Sequence, residues 1–142
     1  MIKENKYIAT YTKFNSFVEA LAEKVHNLGS DTLTIALTDV APSAANTVLA
    51  NITQISYANC STRVITITTS AQTSGTYKLV LADLVLTASG AVGPFRYIVI
   101  YNDTAANDEL IGWYDYGSEV TLASGDTFTI DFSATNGLLQ IV

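Results

Sequence analysis

The chain has 142 residues and a formal net charge of −6, with 49% hydrophobic but only 14% charged side chains. That length suits one domain with a single core and no need of disulfide or metal staples, and the acidic balance without any Lys/Arg cluster argues against gripping a nucleic-acid backbone. Cys60 is the only cysteine, so no intramolecular disulfide is available. No apolar run reaches the roughly 18 residues of a membrane-spanning helix. The N-terminus also lacks a signal-peptide stretch, so a chain neither membrane-bound nor secreted by that route is expected. In that setting the N-x-S/T sequences at Asn51, Asn59 and Asn102 carry no glycosylation meaning.

Residues 1–13 hold three lysines and one glutamate, whereas residues 14–142 hold four basic and twelve acidic side chains. Arm and body therefore differ in sign. Tyr7, Ala9 and Tyr11 alternate with Ile8, Thr10 and Thr12, which predicts an extended arm of roughly 43 Å that could lie on a neighbour or join this chain's own sheet. Tyr7, Ile8 and Tyr11 are its candidate interface residues.

A helix is predicted over 16–28. Ser16 and Glu19 form an S-x-x-E capping box, Phe14, Phe17, Val18, Leu21, Val25 and Leu28 recur at spacings of three and four, and Gly29 supplies the stop. Glu19, Glu23, Lys24 and Asn27 make its solvated face, with Glu23 and Asn27 as neighbours. His26 near its end reads as a helix-end partner before a catalytic base.

From residue 32 the period becomes two. Leu33, Ile35 and Leu37 alternate with threonines and Ala36 in a half-buried strand, and residues 39–61 read as a long loop. Further strands are expected at 63–70, 76–87, 95–102, 109–116, 119–122, 126–133 and 138–142, with Asn136-Gly137 as a hairpin turn between the last two. The 19 threonines suit such strands. About eight antiparallel strands and one N-terminal amphipathic helix make a mostly β sandwich or barrel, a single domain over 14–142.

Reactive groups are sparse. His26 is the only base for a serine or Cys60, and one Cys plus one His cannot form a zinc set, so neither a catalytic triad nor a metal site is expected. Asp115, Glu119, Asp126 and Asp131 lie among aromatics as a glycosidase would need. However, Asp126 follows Gly125 at a turn, and Asp131 alternates out of the Phe128/Ile130/Phe132 face. Asn102, Asp103, Asn107, Asp108 and Glu109 are oxygen-rich but lack the calcium-loop spacing, which leaves a solvated hairpin loop. Phe95, Tyr97 and Tyr101 fall on one face of a strand and Arg96, Ile98 and Ile100 on the other, with Leu110–Gly117 as its partner. Phe95, Ile98, Ile100 and Trp113 are assigned to the core. Tyr114 and Tyr116 remain interface candidates, since Tyr, Trp and Arg are enriched at interface anchors. A carbohydrate platform of the same rings, as in a host-surface sugar-binding module, is the alternative reading.

The segments KFNSFVEALAEKVHNLGSDTLTIALTD (13–39), SAQTSGTYKLVLADLVLTASG (70–90), GPFRYIVIYNDT (93–104), LIGWYDYG (110–117) and GDTFTIDFSATNG (125–137) resemble a family of small proteins encoded by tailed bacteriophages. The stretch Tyr57 to Arg63 departs from the pattern, with Ala-Asn-Cys-Ser-Thr in place of a Gly-containing turn. The resemblance implies a virion structural protein. Size, β content and acidity are similar to those of capsid decoration, or cement, proteins, which implies binding to the major capsid protein and homo-oligomers of which a trimer is the natural form at three-fold positions, while the sparse reactive side chains argue for no enzymatic activity and no cofactor. A tail, neck or fibre component is the rival within the virion.

Overall fold

The computed structural model describes residues 9–142. Nine strands and one helix follow in the order β1 (Thr10–Lys13), α1 (Ser16–Ala22), β2 (Leu33–Thr38), β3 (Ile67–Thr73), β4 (Thr76–Leu81), β5 (Leu84–Thr87), β6 (Val92–Asn102), β7 (Leu110–Leu122), β8 (Thr127–Ile130) and β9 (Leu139–Ile141). The fold is mostly β and sandwich-like, as the period-two patterning predicts. A four-stranded antiparallel sheet runs β1-β7-β6-β2, beside a three-stranded sheet β3-β4-β9 and a two-stranded sheet β5-β8.

Two cores flank the four-stranded sheet. The larger lies between it and the smaller sheets, and holds Leu33, Ile35 and Leu37 of β2, Ile98 and Ile100 of β6, Leu79 and Leu81 of β4 and Phe132. The second lies on the opposite face, where Ala36, Val99, Tyr101 and Trp113 meet Phe14 and Ile52. The segment 44–52, with a 3₁₀ turn at Leu49–Asn51, covers that face. Ala44 and Leu49 pack on the second core, while Ile55 and Tyr57 pack on the larger one. Consequently β2 is buried at all six positions, where alternation with threonine suggests one solvated face. Its outer edge is covered too: Ile35 N donates to Arg63 O at 3.0 Å and Ile65 N to Leu33 O at 2.9 Å.

The predicted helix over 16–28 is overturned in length, ending at Ala22. The stop is Lys24, at φ 69°. Val25 N donates to Ala20 O at 2.8 Å and Lys24 N to Leu21 O at 3.4 Å, the two bonds of a Schellman turn with lysine in the left-handed position that glycine usually fills. The capping box does not form either, because Asn15, in helical geometry, precedes the helix without a side-chain cap. Asn27 therefore lies outside the helix and cannot be a helical neighbour of Glu23.

Strand boundaries shift for local reasons. The 76–87 run breaks at Ala82–Asp83, where Asp83 Oδ1 accepts from Phe132 N at 2.9 Å. The 109–116 and 119–122 runs merge into β7, with Gly117 at φ 89° taking the kink. The face assignment of Phe95 is corrected. The β6–β7 register shifts between Phe95 and Tyr97, so Phe95 joins Ile98 and Ile100 in the larger core and not Tyr97 and Tyr101. The Asn136-Gly137 hairpin is also overturned. β8 pairs with β5 and β9 with β4, so the turn carries the chain from one sheet to another. Gly137 N donates to Ser133 O at 3.0 Å. A Cβ on Gly137 would lie 2.5 Å from Leu79 O, so this crossing needs glycine for close approach as well as for its φ of 71°.

Candidate functional site

Of the five candidate interface residues, Tyr7 and Ile8 lie outside the described residues. Thr10–Lys13, the end of the predicted arm, forms β1 on this chain's own sheet, with Tyr11 opposite Tyr114 and Lys13 opposite Gly112. Glycine at 112 is what admits the Tyr11 ring, since a Cβ there would overlap it. Tyr11 and Tyr114 lie 5.1 Å apart between ring centroids, and Tyr114 is 6.1 Å from Phe132. Both pack against the larger core. Burial raises both phenols, Tyr114 to about 12 and Tyr11 further, helped by Tyr114 itself. Tyr116 is half-buried, edge-on to Phe128 at 5.1 Å. The three described tyrosines thus spend much of their ring surface inside the domain.

Trp113 is 9% exposed and tilted against Phe14 at 4.6 Å, so it turns no open face to a sugar. Asp115 accepts from Arg96 Nε at 2.8 Å and Nη2 at 3.1 Å, and from Gly117 N at 2.8 Å. The Arg96 hydrogen bond is the main cause that holds its carboxyl below the usual carboxylate range, opposite to what a glycosidase general acid requires. Asp126 caps its own turn by accepting from Ala123 N at 2.9 Å. Burial pushes the Cys60 thiol up, away from nucleophilic thiolate. Among the described residues no group of three or more His, Cys, Asp or Glu is placed to hold a metal ion, and no helix is long and apolar enough to cross a membrane. The Glu109 carboxylate of the oxygen-rich loop is taken up locally by Asn107 N at 3.2 Å and Asn107 Nδ2 at 3.1 Å.

Two features escape sequence reasoning. An open cleft of about 400 Å³ lies between the end of α1 and the three-stranded sheet, lined by Leu21, Lys24, His26, Leu28, Tyr77 and Ile141 among others. Beside it, buried His26 and Asn102 form a polar cluster with half-buried Asp31. Its members lie 71 and 76 residues apart in the chain, a separation no local pattern reveals.

Among the described residues these elements define the class: a nine-stranded antiparallel β domain with one short helix, carrying a partly exposed ion pair, a largely buried polar cluster and an open cleft. Comparison of the chain with protein-family models, with curated proteins and with solved structures finds no match.

Proposed function

We propose that the chain is a structural protein of a tailed-phage virion, a capsid decoration protein that binds and stabilises the shell of major capsid protein, made in the bacterial host and carried on the capsid surface. The observation that carries this reading is the resemblance of the five segments quoted above. They include α1, β2, most of β4–β6 and the start of β7, so the likeness falls largely on the parts that make both cores. The mechanism is adhesion by area burial, multiplied over symmetric copies. Two features of the described fold suit it. β1 ends the four-stranded sheet and, among the described residues, pairs with β7 alone, which suits strand addition on its other side. It also continues directly from residues 1–8, where Lys3 and Lys6 oppose the acidic body.

The test is purification of virions with quantification of the protein, and labelling for electron microscopy. Hundreds of copies over the head support decoration; a dozen or fewer at the tail or neck would move the assignment there, and absence from mature particles would end it. A second experiment removes residues 1–8 only, so that β1 and the Tyr11 contact with Gly112 stay intact, and measures occupancy on decoration-free particles. Loss of occupancy with an unchanged melting temperature is expected, and full occupancy would reject the role of the arm.

A further inference from the structure

His26 is the single histidine of the chain and is 4% exposed. Its protonation state is set by the amide of Asn102, whose orientation is fixed from the other side: Oδ1 accepts from Thr104 N at 3.0 Å and from Ala105 N at 3.2 Å. The amide nitrogen therefore faces His26 Nδ1 at 3.0 Å and Asp31 Oδ2 at 2.7 Å. An NH₂ group only donates, so Nδ1 must accept, and the ring is neutral with its proton on Nε2. Nε2 itself is buried without a hydrogen-bond partner. Asp31 Oδ2 also accepts from Asn27 N at 2.7 Å. One amide thus ties together three segments: the stretch after α1, the turn before β2 and the β6–β7 loop.

We propose that this cluster is an acid-sensitive latch: protonation of His26 at Nδ1 sets two donors face to face, breaks the His26–Asn102 bond and loosens the hold of the Asn102 amide on Thr104 and Ala105, while Asp103 N on Thr32 O at 2.9 Å and Thr32 N on Thr104 Oγ1 at 2.8 Å keep the loop beside the start of β2. The groups facing the ring are few. Phe17 of α1 lies 5.4 Å away between centroids and is apolar. Asn102 of β6 is uncharged. Asp31 and Glu109 are the charged neighbours, and both favour the protonated ring. Burial outweighs them and lowers the His26 pKa. The sign follows from linkage. A base held below its ordinary value near 6.5 is neutral in the fold above that value, so the latch is closed there, and closure weakens as pH falls below 6.5 towards the folded pKa. The β2–β6 and β6–β7 ladders do not pass through His26, so the opening is local.

The experiment follows two signals on the full chain by NMR between pH 7.5 and 4.5: the His26 imidazole, which needs no assignment against other histidines, and exchange protection of the Thr104 and Ala105 amides relative to Val99 and Ile100. Both are measured also in His26→Gln, whose side-chain oxygen can accept from Asn102 at any pH. The expected result is a His26 midpoint below 6.5, with loss of Thr104 and Ala105 protection through the same midpoint in the wild type and no such loss in His26→Gln. A midpoint at or above 6.5, protection independent of pH, or an equal loss in the variant would overturn the latch. Should His26→Gln not fold, the wild type decides alone: coincident midpoints support the latch, and separated ones reject it.

Discussion

Phe14→Ala is the sharpest probe of the second core, which forms where residues 44–52 close over the face on which the threonines of β2 suggest solvent. Phe14 is fully buried, and its ring contacts Trp113 at 4.6 Å. Removing it deletes a phenyl ring from a cluster with only six other buried members, so little can collapse into the gap. The cost for a site of this kind is about 3–5 kcal/mol. Each kcal/mol shifts the melting temperature of a domain this size by about 4 °C, so a drop of roughly 12–20 °C is expected. Urea unfolding followed by Trp113 fluorescence measures it, and Trp113, the only tryptophan, reports the local change as a red shift in the folded state. Val18→Ala on the exposed side of α1, where Val18 is 53% exposed, is the control and should stay within about 0.5 kcal/mol. A Phe14→Ala cost under about 1 kcal/mol would refute the idea that the loop face is a second packed core.

Gly112→Ala should cost about 1–3 kcal/mol, because the new methyl overlaps the Tyr11 ring and must push β1 away; pairing it with Tyr11→Ala in a double-mutant cycle should recover part of that loss, and strict additivity would count against the contact. Alkaline pH tests the buried phenols. Tyr114 is raised to about 12, so its stabilising contribution is complete below 10 and is lost as pH rises from 10 towards 12; spectrophotometric titration should show Tyr11, Tyr57 and Tyr114 ionising late, all three raised by burial, and the absence of any late-ionising phenol would contradict the packing. Asp115→Asn should lower the melting temperature only slightly, and less at high salt, since the Arg96 pair is more than a third exposed on the arginine side. The Asp115 carboxyl is depressed below 3.8, so whatever stability it contributes is present above that pH and is lost on acidification through the folded value. A large loss insensitive to salt would mean that the pair is not solvated.

Period-two patterning was enough to read the fold class, and the β6–β7 pairing was legible from two apolar runs separated by a polar loop. What patterning could not reveal is which surfaces the loops close. Thr34 and Thr38 look like solvent positions because their side chains are polar, yet both are buried, Thr34 against Asp103 and the bridge to Val64, and Thr38 with its hydroxyl on the main chain of Val40. Local stop signals misled for a related reason. Gly29 is the better helix terminator by propensity, but the chain turns at Lys24, where leaving the helix early lets His26 and Leu28 reach the interior. Asn136-Gly137 carries the strongest hairpin signal in the chain and makes none, because Asp83 holds Phe132 N and Leu79 O takes Leu138 N at 2.7 Å, committing the two sides of the turn to different sheets.

The candidate interface was legible as residue types but not as orientation. Tyr11, Tyr114 and Tyr116 are the kinds of residue that anchor partners, but in β-strands the face a ring occupies is decided by pairing register, and here it turns them towards this chain's own core. Adhesion built on rings would first have to unpack the domain, at a cost of several kcal/mol for Tyr11 and Tyr114 together. Main-chain pairing at a sheet edge carries no such penalty, since the groups are already presented. β1 offers such an edge, at the point where the basic N-terminal residues join an acidic body. Substitutions that alter the β1 edge without touching Tyr11, such as Lys13→Pro, should therefore weaken assembly more than Tyr116→Ala does, because Phe14 N bonds Ile111 O and the alternation of the ladder turns the Lys13 amide away from β7. Particle-binding titrations of the two variants, each checked for an unchanged melting temperature, decide between edge and ring, and an equal or greater loss for Tyr116→Ala would return the interface to the aromatics.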